Sequence, residues 1–136
     1  MTGPSALSQT SEYALRIMAF LAQQPAVTFV PAIAMEGKVK VPANYRAKIL
    51  NQLGRAGLLQ STRGRTGGFR LSRPANEIHL ADVVTPFEPA GAARSCILGR
   101  ASCEDALPCA AHHGWRELGK ARDQYLRDTT IADLAS

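Results

Sequence analysis

Apolar residues near the start of the chain repeat at the spacing of an amphipathic helix. The repeat predicts a helix that is capped by Ser8 or Thr10 and runs to about Gln24, where Pro25 ends it. Glu12 lies in the first turn, where a carboxylate interacts favourably with the helix dipole. The buried face is formed by residues three or four positions apart: Ala14, Ile17, Met18 and Leu21.

Two further helices are predicted, joined by a short turn. Val30 to Glu36 forms the first, with Pro31 in its first turn and Gly37 as its C-cap. Pro42 opens the second helix, which Gly57 closes, and its apolar repeat is Tyr45, Ile49, Leu50 and Leu53. Two helices joined by a short glycine-containing turn form a helix–turn–helix unit, whose second helix enters the major groove of DNA.

The outward side of that second helix is predicted to carry side chains suited to reading DNA. Asn and Arg are the residue types that make paired hydrogen bonds with adenine and guanine edges. The candidate DNA-binding residues on this helix are Asn44, Tyr45, Arg46, Lys48 and Asn51, with Ala47 on the same side.

A hairpin is predicted directly after the second helix. Leu58–Arg63 and Phe69–Ser72 read as two short strands, and the turn between them is rich in glycine. This hairpin is the wing of a winged-helix domain. Its tip carries Arg65, flanked by Arg63 and Arg70, and an Arg on a glycine-rich tip suits a narrow minor groove or the phosphate backbone.

The charge distribution supports a polyanionic partner. The net charge is +5, but the basic residues are concentrated between Gly37 and Asn76, where there are nine and no acidic residue. The rest of the chain carries seven basic and eleven acidic residues. Such a one-sided block is typical of a DNA-binding surface. The alternatives are a solvated basic face and a face that docks another protein.

The second half of the chain is predicted to continue with a strand at Ile78–Leu80, a short helix at Leu80–Phe87, a loop and a helix from about Cys109 to Asp128. Ile131 to Ala135 would form a short final turn against that helix. Alternating steps of four and three along the long helix predict a dimerisation seam, and packing on its own domain is the alternative. The seam residues are Ala111, Trp115, Leu118, Arg122, Tyr125 and Thr129.

The fold class that these elements predict is mainly α-helical with a small β wing. It is a winged helix–turn–helix domain plus a long C-terminal dimerisation helix. The predicted division is a DNA-binding domain at 1–88, a cluster-binding loop at 89–108, and the dimerisation helix and final turn at 109–136.

Three cysteines lie in or beside the loop. Six residues separate Cys96 from Cys103, and five separate Cys103 from Cys109. His112 follows Cys109 by three positions. Wide spacing favours an iron–sulfur cluster, in which a histidine can replace one thiolate. Zinc on three cysteines and a histidine, or a metal-free thiol switch, remains open. The fourth ligand is predicted to be His112, with Glu12 of the partner subunit as the alternative.

The chain shows no pattern of an enzyme, a membrane protein or a secreted protein. No apolar stretch approaches the roughly 18 residues of a membrane span. The first eleven residues carry no Lys or Arg, which argues against a signal peptide and for the cytoplasm. No P-loop, HExxH or Ser-His-Asp pattern is evident, and no small-molecule substrate is expected. A small metal-dependent enzyme using Glu104 or Asp105 is the less favoured alternative.

Two segments resemble one family of bacterial regulators. The stretch Leu50–Leu58 and the RGxxGGFRL motif at Arg63–Leu71, followed by three cysteines, are similar to the Rrf2 family. The resemblance extends from Leu7 to Leu134. It implies a homodimer that binds double-stranded DNA and carries a redox-labile iron–sulfur cluster, of the 2Fe-2S or 4Fe-4S type. We expect the regulator to act as a repressor.

The resemblance divides between two branches of that family. The helix at Asn44–Leu53 is more similar to the nitric-oxide-sensing branch, which uses an acidic ligand at the position of Glu12. The Cys109-x-x-His112 pair is more similar to the cluster-biogenesis branch, in which that histidine is a ligand. The implied stimulus is therefore nitric oxide, another redox signal or iron–sulfur status.

Overall fold

A computed structural model describes residues 7–88 and 112–135. The described elements are five α-helices, two β-strands and three short 3₁₀ turns. In chain order they are α1 (Gln9–Ala22), a turn at Ala32–Met35, α2 (Ala43–Arg55), β1 (Leu59–Thr62), β2 (Gly68–Leu71), turns at Ala75–Glu77 and Thr85–Phe87 on either side of α3 (Leu80–Val84), α4 (His112–Asp128) and α5 (Ile131–Ala135).

Helix α1 lies at the centre of the packing. Ser8 caps it, because its Oγ accepts the Ser11 backbone N–H at 3.2 Å. Ala14, Ile17 and Met18 are fully buried, as the helical spacing predicts. Helices α2, α3 and α5 and strand β2 all pack against α1, so its apolar face organises the core.

The segment before α2 differs from its prediction. Instead of a helix over Val30–Glu36, only Ala32–Met35 forms a 3₁₀ turn. Val30 is used by the wing: its N–H donates to Phe69 O and its carbonyl accepts from Phe69 N–H, both at 2.8 Å. Because both backbone groups of Val30 face the hairpin, the residue cannot also begin a helix. Gly37 follows with φ +76°, as a helix-ending glycine requires.

The wing is the predicted antiparallel hairpin. Leu59 pairs with Leu71 and Thr62 with Gly68, so the strands are close to the expected ranges. The strand expected at Ile78–Leu80 is reduced to a single bridge between His79 and Thr130.

The chain end returns to the core. Ile131 is fully buried, and its N–H donates to Ile78 O at 2.8 Å. The Thr130 N–H donates to Asp133 Oδ2 at 2.9 Å, and the Asp133 N–H donates to Thr130 Oγ1 at 3.3 Å, which caps α5. Hydrogen bonds to the carboxylate from the Thr130 backbone N–H and from the Thr130 side chain hold the pKa of Asp133 below its ordinary value. The principal packing of α5 is on α1, whereas the sequence had predicted contact with the long helix.

We expect Ile131→Ala to lower the free energy of unfolding by about 2–5 kcal/mol, because it leaves a cavity beneath α1. Ile33→Ala is the matched control: the same atoms are removed from a side chain that is 74% exposed. Its effect should stay within about 0.5 kcal/mol. Urea denaturation of both variants measures the difference, and equal effects would show that α5 is not part of the core.

Candidate nucleic-acid interface

Helix α2 presents a polar stripe to solvent. Asn44, Lys48 and Asn51 are all exposed, and their spacing of four and three residues places them on one face. Ala47 is exposed beside them and leaves the stripe unobstructed. Ile49, Leu50 and Leu53 form the opposite, buried face. The helix is thus held by one side and offers amide and ammonium groups on the other.

Tyr45 belongs to the edge of this surface rather than to the core. Its side chain is 46% exposed, which corrects the expectation that it forms part of the buried repeat. Its ring lies 5.8 Å from that of Tyr13, centroid to centroid, at 48°. This pair connects the first turn and a half of α1 with the start of α2.

The prediction that Arg46 faces outward is wrong. Arg46 is only 7% exposed, and its Nη1 donates to Glu36 Oε2 at 2.9 Å while Nη2 donates to Val41 O at 3.3 Å. The cause is spacing: Arg46 precedes Ile49, Leu50 and Leu53 by three, four and seven positions, which is the buried face. This spacing is visible in the sequence and could have predicted that Arg46 is buried. Arg46 therefore ties the turn of the helix–turn–helix to α2.

The tip of the wing depends on glycine. Gly64 has φ +101°, and a Cβ on Gly67 would lie 2.5 Å from Thr62 O. A Cβ on Gly68 would overlap the Val30 carbonyl. These glycines let the turn fold tightly, and it exposes Arg63 and Arg65 at its end.

The Arg70 side chain makes hydrogen bonds within the protein. Its Nε donates to Gln60 Oε1 and its Nη1 to Val27 O, both at 3.0 Å. The guanidinium also lies 4.2 Å from the centroid of the Phe29 ring. Arg70 thus fastens the wing to the segment after α1, and its role differs from that of the freely exposed Arg65.

The basic stretch, residues Gly37 to Asn76, keeps most of its positive charge at the surface. Seven of its nine basic residues are exposed: Lys38, Lys40, Lys48, Arg55, Arg63, Arg65 and Arg73. Arg73 Nη2 lies 3.5 Å from Asp82 Oδ2. The buried Arg46 is paired with Glu36, which lies just before this stretch. The α2 stripe and the wing tip are therefore both candidate contacts for a polyanion.

The three cysteines lie outside the described residues, as do residues 89–111 generally. His112 is the first residue of α4, and Glu12 lies half-buried in the first turn of α1. Within 7–88 and 112–135, no three His, Cys, Asp or Glu side chains come together as a metal site. Three thiols and an imidazole within one segment are nevertheless a donor set that suits an iron–sulfur cluster or zinc.

Helix α4 has two different long faces. Leu126 is part of the buried core, and Trp115, eleven positions before it, is half-buried. Leu118 and Tyr125, seven residues apart, are 61% and 59% exposed. The seam predicted from sequence is thus divided between an inward and an outward side, and the outward side leaves large apolar groups uncovered.

A helix–turn–helix followed directly by a two-stranded hairpin, with a basic exposed surface, defines the winged-helix class of DNA-binding domains. The family model described as Rrf2, iron-dependent transcriptional regulator, matches residues 7–136. The chain belongs to the Rrf2 family and is a transcriptional regulator rather than an enzyme.

Similar proteins support this assignment. An HTH-type transcriptional regulator of Aquifex aeolicus is 34% identical over 131 residues, covering 93% of this chain and 89% of the relative. The regulator IscR of Vibrio atlanticus is 29% identical over 94% of this chain and 73% of its own length.

Solved structures show the same fold. CymR, the global cysteine regulator of B. subtilis, has a TM-score of 0.79 and 24% identity, and the match covers 97% of each chain. IscR of T. potens has a TM-score of 0.75 and 22% identity over 96% of this chain and 85% of that one. Among the helices described, none has the length and apolar character to cross a membrane.

We expect Arg46→Met to lower the free energy of unfolding by about 1–3 kcal/mol, since it removes charge-assisted hydrogen bonds to Glu36 and Val41. Lys48→Met makes the same replacement of a charge by a thioether on the exposed side of α2 and should change stability by about 0.5 kcal/mol or less. Urea unfolding of the two variants compares them. If both are equally stable, Arg46 does not hold α2 to the segment that precedes it.

Proposed function

We propose that this protein is a homodimeric repressor that reads an operator with the exposed stripe of α2 and the wing tip. The observation that carries this proposal is the alignment of Asn44, Lys48 and Asn51 on one face of α2, with Arg63 and Arg65 exposed on the wing. Amide groups suit adenine edges, and the cations suit phosphates and a narrow minor groove. Tyr45 borders this surface, and Arg46 and Arg70 position it from within.

Dimerisation through α4 is part of the proposal. A winged-helix dimer reads two half-sites about 34–36 Å apart, and so requires a fixed separation of its recognition helices. The exposed Leu118 and Tyr125 on α4 supply an apolar stripe at heptad spacing that a second copy can cover. The proposed partner is double-stranded DNA. The protein would act in the cytoplasm.

The cysteine segment is proposed as the sensor. Cys96, Cys103 and Cys109, with His112 or Glu12 of the partner subunit, would hold a 2Fe-2S or 4Fe-4S cluster. The description of the family as iron-dependent transcriptional regulators supports an iron-containing centre. Such a cluster, when bound, supplies a centre sensitive to oxidation, nitric oxide and iron supply. The chain's own part is to donate the thiolates that hold it.

A metal-free thiol switch is the second candidate for the same segment. It is favoured by the similarity to the cysteine regulator CymR, which has also been solved in an oxidised form in Staphylococcus aureus. Both candidates use the same cysteines, and they differ in whether iron and sulfide accompany the protein.

DNA binding should depend steeply on salt, because phosphate contacts release counterions. On a duplex selected by this protein from random DNA, Lys48→Met should reduce the slope of log K against log salt by about 0.9. Asn51→Ala should leave that slope unchanged while reducing discrimination between selected and random duplexes by about 1–3 kcal/mol.

Fluorescence anisotropy at several salt concentrations measures both quantities. Lys120→Met, an exposed lysine on α4 outside the basic stretch, is the control and should behave as the natural protein does. Failure of the protein to enrich any duplex, or a slope unaffected by Lys48→Met, would contradict the proposed interface.

Protein purified without oxygen should contain iron and acid-labile sulfide and absorb visible light, and Cys103→Ser should lose most of both because a thiolate ligand is removed. Asp105→Asn, two residues away, is the control and should retain them. A colourless protein containing zinc would overturn the cluster assignment. Metal-free protein whose DNA affinity responds to a thiol oxidant would establish the second candidate instead.

A further inference from the structure

The last residue described before the cysteine segment is anchored to the first turn of α1. Glu88 Oε1 accepts the Ser8 backbone N–H at 2.9 Å and the Ser11 hydroxyl at 2.7 Å. Ser11 is fully buried, and Ser8 is the cap of α1. These contacts join positions 77 and 80 residues apart in the sequence.

The anchor is stronger than an ordinary surface contact. Both bonds are charge-assisted, and a carboxylate at a helix N-terminus also interacts favourably with the helix dipole. If Glu88 withdraws, the buried Ser11 hydroxyl keeps Ser8 Oγ at 3.1 Å but loses its ionic acceptor. The position of Glu88 and the order of the first turn of α1 are therefore linked.

Helix α1 extends this link to the candidate DNA surface. Tyr13 contacts Tyr45 of α2, and the Arg16 guanidinium donates to Lys40 O at 2.8 Å in the turn of the helix–turn–helix. Arg16 also lies 5.6 Å from the Tyr13 ring centroid. Contacts on a single rigid helix thus run from Glu88 to the start of the recognition helix.

We propose that Glu88 is a positioning residue that couples the cysteine segment to α2 through α1. Cys96 follows Glu88 by only eight positions, so oxidation of the cysteines takes place close in sequence to this anchor. Release of Glu88 loosens the first turn of α1 and, with it, the Tyr13–Tyr45 contact. The proposal rests on the proposed function in one respect, that the cysteine segment is the sensor.

The experiment compares anaerobically purified protein before and after treatment with the thiol oxidant diamide. Hydrogen exchange of peptides covering 9–16 and 43–50 and the DNA dissociation constant are measured in both states. The variants are Glu88→Ala and Ser11→Ala, which remove either side of the anchor, and Glu88→Gln, which keeps an acceptor oxygen. Glu77→Ala, an exposed glutamate in the same half of the protein, is the matched control.

In the natural protein and Glu77→Ala, oxidation should raise exchange in both peptides and change the dissociation constant by about 5- to 150-fold, the usual range of coupling between sites. In Glu88→Ala and Ser11→Ala both responses should largely disappear, while the number of thiols that react stays the same. Glu88→Gln should keep most of the response, which separates lost coupling from lost folding.

An undiminished response in Glu88→Ala, or unchanged exchange of residues 9–16 in the natural protein, would overturn the proposal. Neither result affects salt-dependent operator binding, which is measured separately and on which the proposed DNA-binding function stands.

Discussion

The burial of the apolar face of α1 is the constraint on which the remaining structure depends. Ala14, Ile17 and Met18 are inaccessible to solvent, and α2, α3 and α5 all pack against this helix. Because such interiors are close-packed, α1 cannot shift without moving its neighbours. The recognition helix, the wing and the chain end are therefore all positioned by their packing on one rigid element. In the coupling proposed above, α1 is therefore the route between a chemical change at the cysteines and the orientation of α2.

The recognition surface follows from a division of labour among basic residues. Arg46 is buried against Glu36, and Arg70 is held by Gln60 and Val27, so both stabilise the frame. Lys48 and Arg65 are exposed, and their charge is available to a ligand. The total charge of the basic stretch does not distinguish between these four residues. The helical period separates Arg46 from Lys48, whereas the role of Arg70 depends on contacts across the wing that no local pattern contains.

Local patterns therefore predicted the elements better than their connections. Caps and apolar repeats predicted α1 and α2, and two short strands flanking a glycine-rich turn predicted the hairpin. The 3₁₀ turn before α2 was predicted as a helix because the use of Val30 by the wing depends on Phe69, which lies 39 positions away. The Glu88–Ser11 bond spans 77 positions. Such pairings are decided by how the core assembles, and a glutamate beside a proline gives no sign of them. The cysteine ligand set, by contrast, was suggested by residue type and remains a prediction.

The position of the cysteine segment in the chain defines how a sensor there can act. It is bounded by Glu88, which is bonded to α1, and by α4, whose outer face carries Leu118 and Tyr125. Under the proposed function, a change in the segment reaches the DNA surface within one subunit through α1 and reaches the second subunit through α4. The first route orients a recognition helix, and the second sets the distance between two of them. Operator affinity depends on both, because each half-site must be entered at the correct angle and at the correct spacing. Since the two routes begin at opposite ends of the same segment, loss of the Glu88 anchor should remove orientation control while leaving the dimer intact.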